Sequence, residues 1–463
     1  MDERGATPLR FTDLFPKPTL ITFDEPHTSS DGGAILLHAI EQKMGLADII
    51  AEGIEDTRQS GKIKHTIEEM VHQRIFGIAC GYADGNDAAK LAEDPVMKLL
   101  AGLKDIQGPA SLASQPTLSR FENSVDLRTL LEVGCRLAQQ VIDYQQHRRR
   151  GKRRPKRITI DIDPTDDPTH GQQMFSFFNG YYDSWCYLPL AVFISFDRRP
   201  QQYLVGTILR PGNAHATLWT PWVLRCLVEA LKKAWPKAKI RVRLDGGFAA
   251  PHIFDLLEKL DTEYFVAMAE NSRLKALAEP LMQKVRKLHS KDAGSQRLYG
   301  ECRYAAGTWK EHPRRVIIKA EVVENAASET KDNPRFVVTN SRLTPEGVYD
   351  FYRQRGDCEN RIKELHHGLE IDRTSCTSFA ANAFRVLLTS VSYMLIQALR
   401  DRIADGELRK AQVGTLRERL LKVAARVKIT CRQIYVALPQ TFPFADAFRQ
   451  LAKALGATPV LVT

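Results

Sequence analysis

The chain has little cysteine, and none of it is spaced as in metal ribbons or disulfide scaffolds. Eight cysteines are scattered over 463 residues without any Cys-x2-Cys pair, which argues against a zinc ribbon and a disulfide-stapled fold. We therefore expect reduced thiols in a cytoplasmic protein. The N-terminus, MDERGATPLRFTDLFPK, is charged where a signal peptide would need an apolar segment.

No stretch is apolar enough to suggest a membrane protein. The longest candidate, Phe384–Arg400, is interrupted by polar residues and is interpreted as a buried helix. Internal repeats are also missing. A chain of this length can bury a large core and form two or three domains.

Positive charge is in excess. The chain has 66 Lys and Arg against 55 Asp and Glu, a formal net charge of +11. Eight of the ten residues from Arg148 to Arg157 are cationic. Such clustering suggests a polyanionic partner, usually nucleic acid, although simple solubility remains an alternative.

Hydrophobic periodicity divides the chain into six segments of different character. We predict a helical N-terminal region (1–146), a basic linker (147–157), alternating strands and helices (158–270), a β-rich insertion (271–334), a last strand with a long helix from about Pro345 to Leu369 (335–380), and a mainly helical C-terminal region (381–463) with one strand candidate, RVKITCRQIYVAL. The alternation predicts an α/β sheet covered by helices.

Two predicted strands end in aspartate. In ITIDID, Asp161 and Asp163 share the face opposite the isoleucines, and Asp163 lies at the carboxyl end, where open α/β sheets place their chemistry. Asp245 ends a second strand, before Gly246 and Gly247. Turns and caps are the plain alternative for these aspartates and for the nearby Asp166 and Asp167, and the spacing does not fit a calcium loop.

A later helix carries polar residues beside an apolar stripe. At 100° per residue, one sector contains Tyr352, Arg355, Glu359, Lys363 and His366. A solvated salt-bridge face is the usual cause of such a pattern. Here the helix follows two strands that each end in aspartate.

Strand-Asp, strand-Asp and helix-Glu in this order resemble the catalytic core of DDE transposases. YRQRGDCE matches the Tyr-x2-Arg-x3-Glu signature of a bacterial insertion-sequence branch. IDIDPTDDPTHGQQ, GYYDSWCYLPL, RLDGGF and YRQRGDCENRIKEL resemble the insertion sequence thirteen-eighty family, as do QRIFGIACGYADGNDA and SQPTLSRFEN. The likeness covers roughly residues 30 to 380. One position departs from the signature, because His366 stands where a lysine is usual.

This resemblance implies a ribonuclease-H-like core with a β-rich insertion between the second Asp and the Glu. It implies that Asp163, Asp245 and Glu359 bind two Mg²⁺ or Mn²⁺ ions. It also implies end binding, cleavage and 3′-end transfer, with a cut-and-paste route, hairpinned ends and a dimeric synapse. In the family pattern the metal-binding aspartate precedes x-Thr, which favours Asp163 over Asp161.

Other residues are candidates for binding double-stranded DNA, at terminal inverted repeats or at the target. They are Tyr352, Arg355, Lys363, His366, Arg148, Arg149, Arg150, Arg153, Arg154, Arg120 and Trp309. Trp309, flanked by Lys310, Arg314 and Arg315, could stack on a flipped nucleotide, or it could pack in the insertion's own core. Two rival functions are a nuclease without strand transfer and a DNA-binding protein that has lost catalysis.

Overall fold

The structure is a computed structural model that describes residues 7–151, 153–197, 201–290, 294–309, 312–324, 330–404 and 406–459. The chain divides into two compact units. The sheet unit contains Met44–Ile49 and Glu122–Met394. The terminal unit contains Met1–Lys43, Ile50–Phe121 and Leu395–Thr463, so parts of the predicted N-terminal and C-terminal regions belong to one unit.

A mixed sheet organises the sheet unit, and its nine strands within the described residues are labelled β1 to β9 in chain order. Their bounds are Arg157–Pro164, Leu190–Phe196, Gln202–Ile208, Lys239–Leu244, Glu263–Met268, Gln296–Tyr304, Arg314–Glu324, Thr330–Asp332 and Arg335–Thr339. The spatial order is β6-β7-β9-β5-β4-β1-β2-β3, with β8 paired to β7. The β1–β4 and β4–β5 pairs are parallel, and the other pairs are antiparallel.

Strand β1 lies inside this sheet and is buried on both faces. Ile158, Ile160 and Ile162 are fully buried on one face, as their alternation predicts. On the other face, Asp161 and Asp163 are also buried. Buried carboxylates need compensating partners, so the surroundings of β1 determine what each aspartate can do.

Helices cover the sheet, and those of the sheet unit are labelled α1 to α7. Their bounds are Leu127–Arg148, Thr220–Ala234, Pro251–Lys259, Ser272–His289, Pro345–Arg353, Gly356–Lys363 and Phe379–Arg400, the last continuing past the end of the unit. Asp126 caps α1 through the backbone N–H of Thr129, and α2, α3 and α5 have proline in their first turn. Helix α7 is long and apolar enough to cross a membrane, but 89% of its most apolar window is buried inside the protein, as expected of a core helix.

Two predictions for the second half of the sheet unit were wrong in detail. The antiparallel strands predicted within residues 271–334 are present as β6 and β7, but the 18-residue helix α4 precedes them and both strands continue the main sheet. The predicted helix from Pro345 to Leu369 is interrupted, because α5 ends at Arg353, α6 begins at Gly356, and a π-helical turn follows at Glu364–Gly368. Between α5 and α6 the hydrogen bonds run from residue i to residue i−3, as in a 3₁₀-helix, rather than to residue i−4. They join Arg355 N to Tyr352 O and Cys358 N to Arg355 O.

The remaining elements are shorter. A small sheet follows β1, with strands Asp167–Pro168, Phe177–Asn179 and Ser184–Tyr187. The other strands are Leu9–Phe11, Thr19–Ile21, Thr28–Ser29, Ala425–Ile429 and Ile434–Ala437. The last two are antiparallel partners, where the sequence predicted a single strand. The other helices are Ile35–Met44, Leu46–Gly53, Ile67–Ala79, Asp87–Leu91, Pro95–Ala101, Gln115–Glu122, Glu407–Lys410, Val413–Leu416 and Ala445–Ala454.

Candidate active site

Three carboxylates come together from separate elements of the sheet unit. Asp163 lies near the carboxyl end of β1, and Asp245 directly follows β4. Because β1 and β4 are parallel neighbours, both aspartates leave the sheet at the same edge. Glu359 lies on α6, which follows the last strand of the sheet.

Arg355 connects the three carboxylates. Its Nη2 lies 2.5 Å from Asp163 Oδ1 and 3.5 Å from Asp245 Oδ2, and its Nη1 lies 3.9 Å from Glu359 Oε1. Asp163 and Arg355 are mostly buried, whereas the Glu359 side chain is 60% exposed. The carboxylates therefore form one convergent acidic site with a single guanidinium between them.

The site has more negative charge than Arg355 compensates. Burial, followed by the charges of Asp245 and Glu359, raises the pKa of Asp163 to about 7, although Arg355 opposes the shift. Burial lowers the pKa of Arg355, but Asp163, Tyr352 and Asp245 raise it on balance. An additional cation would therefore be stabilised here.

Asp161 has a different environment from Asp163, although both share one face of β1. Arg243 on β4 donates to both oxygens of Asp161, at 2.7 and 2.8 Å, and Gln202 donates at 3.0 Å. Arg243 also donates to the carbonyl of Phe351 at 2.9 Å, which ties α5 to the sheet. Asp161 therefore has a structural role. Through Arg243 it helps to hold α5 against the sheet, and Arg355 lies just after α5.

Asp245 caps a short turn. Its Oδ1 accepts a hydrogen bond of 2.8 Å from the N–H of Gly247, and a 3₁₀ turn covers Gly246–Phe248. A Cβ at Gly247 would lie 3.0 Å from the Ala216 Cβ, which accounts for a small residue there. The other oxygen of Asp245 is directed toward Arg355.

The family model described as transposase DDE domain group 1 matches residues 11–460. The chain belongs to this family. A comparison with curated proteins returned no match. As a DDE transposase, the protein belongs to a class that acts on DNA and generally uses divalent metals.

The carboxylates of this DDE transposase are suitable ligands for a hard divalent cation, but they do not form a preformed metal site. Among the described residues no group of three potential metal ligands is close enough to count as a preformed site. Arg355 stands between the candidate ligands Asp163, Asp245 and Glu359. Mg²⁺ and Mn²⁺ prefer carboxylate oxygens as ligands, and the uncompensated negative charge of these residues would attract such ions.

The other predicted residues of the Glu helix differ in their burial and in their contacts. Burial raises the pKa of half-buried Tyr352 to about 12, with Asp245 adding to the shift. His366 Nε2 is 3.0 Å from the hydroxyl of Thr165, two residues after Asp163, and its Nδ1 is 3.5 Å from Asp372. Lys363 is exposed at the end of α6. Tyr352 and His366 thus border the site, and Lys363 faces solvent.

The basic run divides into packed and exposed arginines. Arg148 donates to the hydroxyl of Tyr203 at 3.1 Å, and Arg149 lies 4.0 Å above the ring of Phe196. Because Phe196 pairs with Ile158, this end of the sheet is opposite to Asp163. Exposed cations of the run are Arg150, Arg153, Arg154, Lys156 and Arg157, within the described residues. Arg120 is exposed on the helix Gln115–Glu122, which buries Leu118 and Phe121 as its spacing predicts.

Trp309 is packed inside the protein. It is 6% exposed and lies 5.1 Å from the ring of Phe254 and 6.3 Å from that of Tyr304. The guanidinium of Arg314 is 5.8 Å from the indole. Lys310 lies outside the described residues. This geometry favours the packing alternative, and stacking of Trp309 on DNA stays a prediction.

Sequence reasoning missed Arg243, Arg210 and Tyr182. Arg210 is fully buried, and it donates to the carbonyls of Leu188 and Ala216 at 2.9 and 3.0 Å. Burial, followed by the charges of Asp166, Asp163 and Asp245, raises the pKa of Tyr182. Arg243 could have been found, because a cation inside a predicted buried strand needs an acidic partner on a neighbouring strand.

Proposed function

We propose that this protein is an insertion-sequence transposase resembling the thirteen-eighty family. It binds terminal inverted repeats, cleaves transposon ends and transfers their 3′ ends to target DNA. The observation that carries this proposal is the convergence of Asp163, Asp245 and Glu359 around Arg355. Family membership supports the class of activity, and the specific reaction is our inference.

The order of the strands supports a ribonuclease-H-like core. Within the sheet, β3-β2-β1-β4-β5 is a continuous series in which β2 is antiparallel and β4 is parallel to β1. In this proposal, strands β6 to β8 and α4 form the insertion between the second Asp and the Glu. Residues 1–146 and 381–463 are the N-terminal DNA-binding region and the C-terminal region.

Each acidic residue has a defined role in the proposed chemistry. Asp163, Asp245 and Glu359 would hold two Mg²⁺ or Mn²⁺ ions. When bound, these ions activate the attacking oxygen and stabilise the leaving oxygen of a phosphodiester. Arg355, held against Asp163 before DNA arrives, is positioned to bind a phosphate oxygen near the reacting strand. Tyr352 orients the adjacent backbone.

DNA phosphates are proposed to contact the exposed cations. Arg150, Arg153, Arg154, Arg120 and Lys363 have side chains that reach solvent, and each phosphate contact adds salt-dependent affinity. The exposed arginines of the basic run lie near the end of the sheet opposite to Asp163. They therefore bind DNA away from the scissile phosphate of the same site, which is consistent with the proposed homodimeric synapse.

The test is a strand-transfer reaction. Purified protein, Mn²⁺, a duplex carrying one transposon end and a supercoiled plasmid are incubated, and the DNA products are separated by size. Cleaved ends joined to the plasmid are expected, and they should disappear with Glu359→Gln. Glu132→Gln is the matched control, because Glu132 is a largely exposed carboxylate that pairs with Arg128 on the surface of α1.

The result distinguishes the rival functions. Cleavage without joined products would establish a nuclease that lacks strand transfer. Binding of end DNA without cleavage would establish a DNA-binding protein without catalysis. Either outcome contradicts the proposed reaction.

A further inference from the structure

An unusual group of exposed apolar side chains follows β1. Six large apolar residues reach solvent within twelve consecutive positions, with exposures from 38% to 88%. They are Met174, Phe175, Phe177, Phe178, Tyr181 and Trp185. We name residues 174–187 the aromatic hairpin, because they contain the paired strands Phe177–Asn179 and Ser184–Tyr187. An exposed apolar patch of this kind marks an interaction surface.

The backbone below these rings is fixed. The hydroxyl of Tyr187 donates to Met174 O at 2.8 Å, and the side-chain amide of Asn179 donates to Gly212 O at 2.9 Å. The N–H of Gly212 in turn donates to Phe175 O at 3.2 Å. These hydrogen bonds, two of them partly buried, hold the backbone of the hairpin in place, so binding would not require a loose loop to become ordered.

Two pairs of rings in the hairpin meet edge to face. Phe178 and Trp185 meet at 66° with centroids 6.4 Å apart, and Tyr181 and Tyr182 meet at 85° with centroids 4.9 Å apart. Edge-to-face pairs leave ring faces open for a further flat partner. Phe175 has a positive φ of 63°, which is an uncommon conformation for a bulky residue.

The hairpin adjoins the carboxylate site. Its strand Ser184–Tyr187 pairs with Asp167–Pro168, which begins four residues after Asp163. Tyr182, in the turn of the hairpin, lies within electrostatic reach of Asp163 and Asp245. A molecule held at the carboxylates would therefore have the hairpin beside it.

The composition of the hairpin indicates which part of DNA it fits. Residues 174–187 contain no Lys or Arg, so the hairpin brings no cation to neutralise a phosphate. Aromatic faces stack on the faces of nucleobases, which are accessible only where the bases are unpaired. From the chemistry of the rings and their continuity with the acidic site, we propose that the aromatic hairpin stacks unpaired nucleobases of DNA bound at the carboxylates. This inference rests on the proposed function, because that function brings DNA to the site.

The test compares single-stranded and paired DNA. Binding of the full-length protein to a fluorescent thymidine oligonucleotide, and to a duplex of the same length, is measured by anisotropy with Ca²⁺ in place of Mn²⁺ to prevent cleavage. Trp185→Ala should weaken oligonucleotide binding by about 5- to 150-fold, the effect of one stacked base, and leave duplex binding nearly unchanged. Tyr181→Ala, with an 88% exposed ring that minimises effects on folding, should act in the same direction.

Trp222→Ala is the matched control, since Trp222 is a partly exposed tryptophan on α2. It should change neither affinity. The proposal is overturned if Trp185→Ala and Tyr181→Ala bind the oligonucleotide like the native protein, or if both variants lose duplex binding to the same extent. It is also overturned if they convert a native dimer to a monomer in sedimentation, because the patch is then an interface between copies.

Failure of this inference can be distinguished from failure of the proposed function. Cleavage of end DNA by the native protein in Mn²⁺ is measured in a separate reaction. Native cleavage with unchanged oligonucleotide binding by the variants rejects the hairpin alone. Loss of oligonucleotide binding in the variants, without native cleavage, supports the hairpin and rejects the proposed reaction.

Discussion

Asp161 and Asp163 lie two positions apart on one face of β1, yet their replacement by asparagine should have opposite effects. Asp161→Asn is expected to reduce stability. Asp163→Asn is expected to abolish cleavage and to stabilise the metal-free protein. The difference follows from the partners of each carboxylate, which are Arg243 and Gln202 for Asp161 and the acidic site with Arg355 for Asp163.

The pKa of Asp163 gives the magnitude of its effect. The folded state holds its proton up to a pKa of about 7, compared with the ordinary value of 3.8 in the unfolded chain. The metal-free native protein therefore loses stability as the pH rises between these values, by up to about 4 kcal/mol. Asp163→Asn removes this loss, and Arg355 keeps Asp245 and Glu359 as partners.

Asp161→Asn leaves a buried charge without its partner. Arg243 is mostly buried and forms a bidentate ion pair with Asp161. Breaking a buried pair by removing one partner costs about 3–5 kcal/mol. Some cleavage activity should remain in the fraction of this variant that is folded.

Urea unfolding in EDTA from pH 4 to pH 8 measures both effects, and the same proteins are assayed for cleavage in Mn²⁺. Mn²⁺ should stabilise the native protein through binding to the folded state and should stabilise Asp163→Asn much less. The reasoning would be refuted by a stable but inactive Asp161→Asn together with an active Asp163→Asn. In that case the metal-binding aspartate is Asp161.

Three further predictions concern the surface and the insertion. Replacing Arg150, Arg153 and Arg154 by glutamine should weaken binding to all DNA sequences and flatten the salt dependence of affinity. An unchanged slope in a salt titration would identify the run as a solvated linker. Trp309→Ala should lower the free energy of unfolding by about 3–5 kcal/mol. If the variant instead has normal stability and cleaves only paired ends more slowly, stacking of Trp309 on DNA is favoured. Lys363→Gln should reduce the salt slope of end binding by about one phosphate contact; an unaltered slope would contradict this role.

The sequence predicted the fold well where local patterns and packing agree. The alternation in ITIDID and the turn after Asp245 placed two acids correctly at the ends of strands. Their adjacency could be expected because parallel neighbours end at one edge of a sheet. The pattern of Glu359 and Arg355 was also informative, since both now contribute to one acidic site.

Other features depended on contacts that no local pattern reveals. The break between α5 and α6 was missed because the apolar spacing of Phe351 and Ile362 fits an unbroken helix. Arg149 was assigned to a linker from its charge, although its guanidinium can cover the ring of Phe196. Trp309 has cationic neighbours in the sequence, but in the structure it packs against Phe254, which comes from a distant part of the chain.

The long separation of the site residues has a consequence for synthesis of the chain. Asp163 and Arg355 are 192 positions apart, so most of the polypeptide must leave the ribosome before they can meet. A nascent chain that extends only through Asp245 has two of the three acids and lacks Arg355 and the helix that carries Glu359. Partly made or prematurely terminated chains thus lack the third acid and the arginine of the proposed site. Under the proposed function, an unfinished copy of the chain would therefore not cleave DNA.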